Sequence, residues 1–154
     1  MPERLEILAV GTLDGDLRPA FDHYRRLVGG LAQLVVREVR EVSLRGRAPA
    51  EVLRDEGRRL AAALPARGTT VVLDGGGRSL DSEAFAVALQ GWCRSGPVTF
   101  VIGGSLGLAD EIRRAADATL SLSALTLPHQ LARVVLAEQL FRALKIARGE
   151  TYHH

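Results

Sequence analysis

Residues 98–107 read Val98-Thr99-Phe100-Val101-Ile102-Gly103-Gly104-Ser105-Leu106-Gly107, and this junction decides the fold class. All but Thr99 of the first five are apolar, with no in-out alternation, which is how a strand covered on both faces of a parallel sheet reads. Glycines then stop it. On the C-terminal side, a helix is expected from about residue 108 to 118, a short strand over 120–122 and a long last helix over 130–147. On the N-terminal side, Gly96-Pro97 closes a helix that Asp81 or Ser82 caps and whose Phe85, Leu89, Trp92 and Cys93 recur at helical spacing. Core packing is the expected role of Trp92 and Cys93. Before that helix, the β-branched run at 69–73 is a strand stopped by Asp74-Gly75-Gly76-Gly77. Residues 5–10 and 34–42 add two strands, the second mixed in polarity and so only partly covered on one face. Further helices are expected over 19–28, ended by Gly29-Gly30, and from Pro49, where a missing N–H costs nothing. The latter should bury Leu53, Leu60 and Leu64. Strands alternating with helices predict an α/β protein, a mostly parallel sheet with helices on both faces.

The chain has 154 residues and a mass of 16.6 kDa. That length predicts one domain over 1–154, which should bury about 70% of the surface its unfolded chain exposes and need no staple. Hydrophobic residues make up 47% and charged residues 25%, an ordinary globular composition. The single Cys93 excludes an intramolecular disulfide and a zinc site built on several thiolates, and fits a reducing compartment; no metal is expected. Lys and Arg number 20 against 18 Asp and Glu, a formal net charge of +2, so nucleic-acid binding requires local clustering or a shape-matched site. Four Phe, one Trp and two Tyr leave few rings for a base-stacking platform. The apolar run at 5–10 is too short for a signal peptide core or a membrane span, so a cytoplasmic protein without membrane attachment is expected.

In open α/β sheets, ligands bind beyond the carboxyl ends of the strands. Three such ends carry unusual loops here: Leu73-Asp74-Gly75, Ile102-Gly103-Gly104 and residues 122–128. Glycines at one strand end commonly do no more than terminate it, but three such loops together point to a small-molecule site. Gly103-Gly104-x-x-Gly107 lacks the dinucleotide spacing, and no phosphate-binding P-loop occurs. Residues 123–128 are apolar and almost uncharged, which suits an adenine held by main-chain groups between aliphatic walls better than a polyphosphate.

The run Leu122-Ser123-Ala124-Leu125-Thr126-Leu127-Pro128-His129, with Arg133, Ala137-Glu138-Gln139-Leu140 and Arg142-Ala143 after it, closely resembles the RlmH family of SPOUT (α/β-knot) methyltransferases. Val10-Gly11, Asp55-Glu56-Gly57, Leu73-Asp74, Gly107-Leu108 and Tyr152-His153 agree as well, so the resemblance spans the chain. It implies a C-terminal trefoil knot, which periodicity cannot reveal because knots are nearly absent from protein folds. It also implies S-adenosylmethionine as cofactor, with S-adenosylhomocysteine as product, bound by Leu73, Gly103, Gly104, Ser123, Ala124, Leu125, Thr126, Leu127 and Pro128. The implied reaction is methylation of N3 of a pseudouridine in large-subunit (23S) ribosomal RNA, within the assembled ribosome, by a homodimer. Arg142, Tyr152 and His153 are the implied catalytic residues. Two departures from the family pattern stand out: Ser105-Leu106 between the glycines, and His154 where relatives often end in Arg or Lys.

Several residues carry two readings. Arg142 lies four residues after Glu138, the spacing of a helix-surface pair, or it contacts the RNA. Arg133 is a further candidate to stabilise an anion. His129 is expected to cap the last helix or bond the loop. Arg45, Arg47, Arg58 and Arg59 form either a solvated charged face or a phosphate-contacting patch. Leu136, Leu140 and Leu144, with Val135 and Phe141, are more apolar surface than one side of a sheet needs and allow a dimer seam. The alternatives in function are another knotted RNA methyltransferase, acting on tRNA or a ribose 2′-hydroxyl, and a non-catalytic ribosome-associated binding protein.

Overall fold

The computed structural model describes residues 3–152. Along the chain run β1 (Arg4–Val10), α1 (Leu17–Gly29), β2 (Gln33–Val39), α2 (Pro49–Ala63), β3 (Thr69–Ser79), α3 (Ser82–Cys93), β4 (Val98–Ile102), α4 (Asp110–Ala115), β5 (Ala118–Ser121) and α5 (His129–Ala147). The strands form one parallel sheet in the order β2-β1-β4-β3-β5. β4 is central, and all five of its residues are buried, as its unbroken apolar run requires. β2 is an edge strand of alternating exposure, which accounts for its mixed polarity.

The pleat sends alternate residues of β1 into two cores. Leu5, Ile7 and Ala9 meet Phe21 and Val28 of α1, Phe85 and Leu89 of α3, and Leu136, Leu140 and Leu144 of α5. Leu8 and Val10 meet Leu60 of α2 and Ile112 of α4, together with Val72 and Val101. α1, α3 and α5 thus cover one face, α2 and α4 the other. Trp92 packs edge-on against Phe85 and Phe100, with ring centroids 6.3 and 6.2 Å away, and Cys93 lies against the same core.

Four local expectations change. β2 ends at Val39 rather than Val42, because β1 has no residue left to pair beyond the Val10–Val39 partnership. α4 is only six residues long, since the chain turns extended at Ala116. In α2 the buried stripe is Val52, Glu56, Gly57 and Leu60, while Leu53 and Leu64 are only partly covered. β3 does not stop at Leu73. Residues 74–77 leave the ladder and Arg78 rejoins it, so that both Leu73 and Arg78 partner Leu120. Gly77 makes that return possible: a Cβ there would stand 2.7–2.8 Å from Thr119 side-chain and backbone atoms.

The registers place the strand ends side by side. Ala9 partners Ile102, and Val72 partners Val101, which puts Leu73 at the level of Ile102. The loops after β3, β4 and β5 therefore open on one edge of the sheet.

Candidate active site

At that edge lies a cavity of about 730 Å³. Leu73, Asp74 and Gly75 line it from β3, residues 102–107 from β4, and residues 121–129 with Ala132 from the β5–α5 connection. All nine residues expected to hold the cofactor stand on its wall: Leu73, Gly103, Gly104, Ser123, Ala124, Leu125, Thr126, Leu127 and Pro128.

Each loop is shaped locally. Gly107 donates its N–H to the Gly104 carbonyl at 3.0 Å, closing a tight turn. A Cβ on Gly103 would stand 2.3 Å from the Gly107 carbonyl oxygen. One on Gly104 would stand 3.2 Å from Val10 Cγ1 and 3.3 Å from Glu56 Oε2. Gly103 is therefore dictated by packing within the turn, and at Gly104 Val10 and Glu56 would have to give way by a few tenths of an ångström. The 123–128 loop is pinned by two serines. Ser121 donates its hydroxyl to the Ser123 carbonyl at 3.0 Å, and Ser123 Oγ accepts the Leu125 N–H at 2.9 Å. Leu125 is 77% exposed. Asp74 is held from below by Arg113 at 3.2 Å, itself paired to Asp110 at 3.0 Å.

Two of the expected catalytic residues, Arg142 and Tyr152, lie elsewhere on the chain. Arg142 donates to Glu138 Oε1 from Nε at 3.0 Å and from Nη2 at 2.6 Å. Its guanidinium also lies 4.3 Å from the centroid of the Tyr152 ring, which meets Phe141 edge-on at 5.1 Å. Burial first, and the Glu138 charge second, push the Tyr152 hydroxyl's pKa up, so the phenol stays protonated. Ala132 lines the cavity and Arg142 lies ten residues on in the same helix, a separation of about 15 Å along its axis at the ordinary rise. Within one chain, Arg142 and Tyr152 are not on the cavity wall. His153 and His154 lie outside the described residues.

The remaining candidates resolve individually. Arg133 is 1% exposed and bonded through both terminal nitrogens: Nη1 meets Glu38 Oε2 at 2.5 Å, and Nη2 donates to the carbonyls of Val10 at 3.4 Å and Gly11 at 3.1 Å, while the buried Nε has no partner. It pins α5 to the end of β1 and is not available to an anion in the cavity. His129 lines the cavity; the residue at the helix cap is Pro128, without a side-chain cap bond. Arg47 pairs with Asp55 and, at 3.6 Å, with Glu51; Arg58 meets Asp55 at 3.1 Å; Arg59 donates to the Arg40 carbonyl at 2.7 Å. The Arg47 hydrogen bond holds the Asp55 carboxyl below its usual range. Sequence reasoning placed the Leu73-Asp74-Gly75 loop at the site but did not foresee Leu106, Ser121, His129 or Ala132 on the wall. Among the described residues, no cluster of three His, Cys, Asp or Glu side chains could hold a metal ion, and no helix is long and apolar enough to cross a membrane.

A parallel α/β sheet with a cavity built from three strand-end loops, the last leading into a C-terminal helix, is the architecture of an α/β protein with a small-molecule site at the carboxyl ends of its strands. The family model described as "Predicted SPOUT methyltransferase" matches residues 4–153. The chain is 44% identical to the ribosomal RNA large subunit methyltransferase H of Gluconacetobacter diazotrophicus, covering 97% of this chain and 96% of that protein. It is 44% identical to the protein of that name from Rubrobacter xylanophilus, with 99% of each covered, and 40% identical to that of Burkholderia vietnamiensis, with 97% and 98% covered. Among solved structures, a probable methyltransferase from Bordetella pertussis superposes with a TM-score of 0.57 at 16% identity, covering 92% of this chain and 95% of that one. The SpoU methyltransferase AviRb of Streptomyces viridochromogenes, solved with AdoMet, gives 0.52 at 19% identity, covering 98% of this chain and 60% of that one; both likenesses concern the fold. The chain belongs to the SPOUT methyltransferases and, within them, to the ribosomal RNA large subunit methyltransferase H family.

Proposed function

We propose that this chain transfers a methyl group from S-adenosylmethionine to N3 of a pseudouridine in large-subunit ribosomal RNA, in the cytoplasm and as a homodimer. The observation that carries the reading is the meeting of all nine cofactor positions on one cavity wall. The residues present fit the cofactor. The cavity's 730 Å³ falls within the usual range of small-molecule sites, about 300–1,000 Å³. Its walls are largely aliphatic, with Leu73, Ile102, Leu122 and Leu127 among them, beside the polar residues Asp74, Ser105, Ser123, Thr126 and His129. That combination would suit an adenine, held between aliphatic walls with polar groups at its edge.

When bound, S-adenosylmethionine supplies a methyl carbon already activated by its sulfonium. The protein's share is to align the nucleophilic nitrogen with that carbon, an effect that can lower a barrier by roughly 7–11 kcal/mol, and to manage the proton on N3. An imide N3 must lose its proton to attack, so a base or a cation that stabilises the anion is needed. Arg142 and Tyr152 form a preassembled pair with Glu138, and His153 follows directly in the chain. Their distance from the cavity along α5 supports a second copy of the chain as the source: the tail of one protomer serves the cavity of the other. Trefoil threading of the C-terminal segment belongs to the same proposal, supported by the packing of the 121–129 connection against the β3 and β4 loops in one cavity.

Mass spectrometry of the ribosomal RNA from a deletion strain, with and without a plasmid copy, tests the activity. Loss and recovery of one methyl group on a pseudouridine is expected, and an unchanged methylation pattern would reject the reading. A methyl group lost instead from tRNA or from a ribose would favour the other knotted methyltransferases, and the named relatives lend those no support. Light scattering should give about twice the 16.6 kDa chain mass.

A further inference from the structure

The buried face of α2 carries a carboxylate among apolar side chains. Val52, Glu56 and Leu60 recur at i, i+4 and i+8 on the inward stripe, and Glu56 is 4% exposed. Its Oε1 accepts the Val42 N–H at 3.2 Å. Its Oε2 has no hydrogen-bond partner and points at the cavity turn, 3.3 Å from where a Cβ on Gly104 would stand. A buried polar atom without a partner is uncommon and destabilising, so the position calls for an explanation beyond packing.

The surroundings supply one. Val42 opens the exposed basic loop of residues 43–48, which contains Arg45 and Arg47. Arg47 grips Asp55, the immediate neighbour of Glu56. On the other side of Glu56, Gly57 leaves no slack: a Cβ there would come 3.0 Å from the Cβ of Ala109, in the segment leaving the cavity turn. α2 cannot shift without moving that segment. Resting on the methyl-transfer reading above, we propose that Glu56 is a positioning residue that joins the basic β2–α2 loop to the Gly104 turn, so that an RNA backbone engaging the loop alters the fit of the adenosine site.

The groups facing Glu56 come from three elements. Burial raises the proton affinity of its carboxyl. The Val42 N–H opposes that rise, Glu41 of the β2–α2 loop adds to it, and Arg59 of α2 and His129 at the start of α5 oppose it. Ionised, Glu56 places a charge with one unpartnered oxygen beneath the turn; protonated, it does not. A site that depends on this contact should therefore hold the nucleoside more tightly when the carboxyl is protonated.

The test is calorimetric titration of S-adenosylhomocysteine into the full chain, alone and with purified large ribosomal subunits, for wild type, Glu56→Gln and Glu56→Leu. In wild type the subunits should change the affinity by at least about fivefold, the lower end of ordinary coupling between sites. Glu56→Gln keeps the acceptor for Val42 and should keep that factor, whereas folded Glu56→Leu should bring it close to one. An unchanged factor in folded Glu56→Leu, or no factor in wild type, overturns the proposal. Should Glu56→Leu not fold, the pH profile decides. Wild-type affinity should fall as pH rises through the Glu56 ionisation, and Glu56→Gln, which retains His129, should lack that fall. Superimposable profiles overturn the proposal. A wild-type protein that binds no S-adenosylhomocysteine would overturn the functional reading itself, and this one with it.

Discussion

Glu38→Ala should destabilise the protein more than Arg133→Met, although each removes one partner of the same ion pair. Glu38 Oε2 receives Arg133 at 2.5 Å and the Leu13 N–H at 3.0 Å. Taking it away leaves a guanidinium that is 1% exposed without a counter-charge. The penalty for breaking a buried pair in this way is typically about 3–5 kcal/mol. The lower figure applies here, because the Glu38 side chain is 32% exposed and water can enter the space it leaves. Arg133→Met removes the buried charge itself, fills part of the volume with a flexible apolar chain and returns Glu38 to solvent with its Leu13 bond intact. What remains lost are hydrogen bonds to the Val10 and Gly11 carbonyls, together about 1–2 kcal/mol. Urea unfolding followed by far-UV circular dichroism measures both variants. With a slope of about 2 kcal/mol/M, the expected midpoint shifts are about 1.5 M for Glu38→Ala and under about 1 M for Arg133→Met. The double variant should be no worse than Glu38→Ala alone, a non-additivity that neighbouring partners show. A larger loss in Arg133→Met, or strictly additive losses, would refute the account of Arg133 as a buried charge whose removal is tolerated better than its isolation.

Gly103→Ala should abolish S-adenosylhomocysteine binding while costing about 1–3 kcal/mol of stability, since its Cβ would strike the Gly107 carbonyl; a folded variant with wild-type affinity would show that the turn adapts. Mixing equal amounts of Arg142→Ala with Gly103→Ala should recover about a quarter of wild-type turnover, because half of the dimers are mixed and each of those keeps one complete site of two. No recovery would place the tail and cavity of the same chain together. Deleting residues 152–154 should leave S-adenosylhomocysteine affinity nearly unchanged but lower single-turnover methylation by about 10²–10⁴-fold. Burial pushes the Cys93 thiol up to about 11, so iodoacetamide alkylation should stay slow through neutral and mildly alkaline pH. Because the folded value lies above the unfolded one, the thiol's contribution to stability is complete below about pH 8.5 and fades as pH climbs towards 11; fast alkylation of folded protein at neutral pH would contradict this.

Much of the fold is legible in residues 98–107 because a strand buried on both faces admits no polar alternation, and its glycine-rich exit follows at once. The return of β3 at Arg78 was not legible. Asp74-Gly75-Gly76-Gly77 has the composition of a strand terminator, and only the proximity of Thr119, distant in sequence, shows that Gly77 is there to let the strand resume against β5. Glu56 was hidden for a related reason. Helical period assigns it to the inward face, but period does not say what that face meets, and a carboxylate among Val52 and Leu60 could equally have marked the edge of the stripe.

The separation of the two residue sets follows from a different kind of evidence, the length of a single helix. Once residues 129–147 are a single uninterrupted helix, distance along it is fixed by the rise per residue, whatever the sheet does. The cofactor loop enters that helix at His129, and Arg142 is thirteen residues on, roughly 20 Å along the axis. Arg142 could approach the cavity of its own chain only if α5 bent back on itself. α5 carries no internal proline or glycine to bend it, and it is clamped near one end by Arg133 and near the other by Arg142, Phe141 and Tyr152. If the cofactor loop and Arg142 serve one site, as proposed above, the length of α5 between them favours another molecule as the source of one of them. The simplest such molecule is a second copy, related by the twofold axis that most homo-oligomers adopt. That axis would bring two tails to two cavities at once, and for this reason the mixing experiment, more than any single substitution, bears on how the site is built.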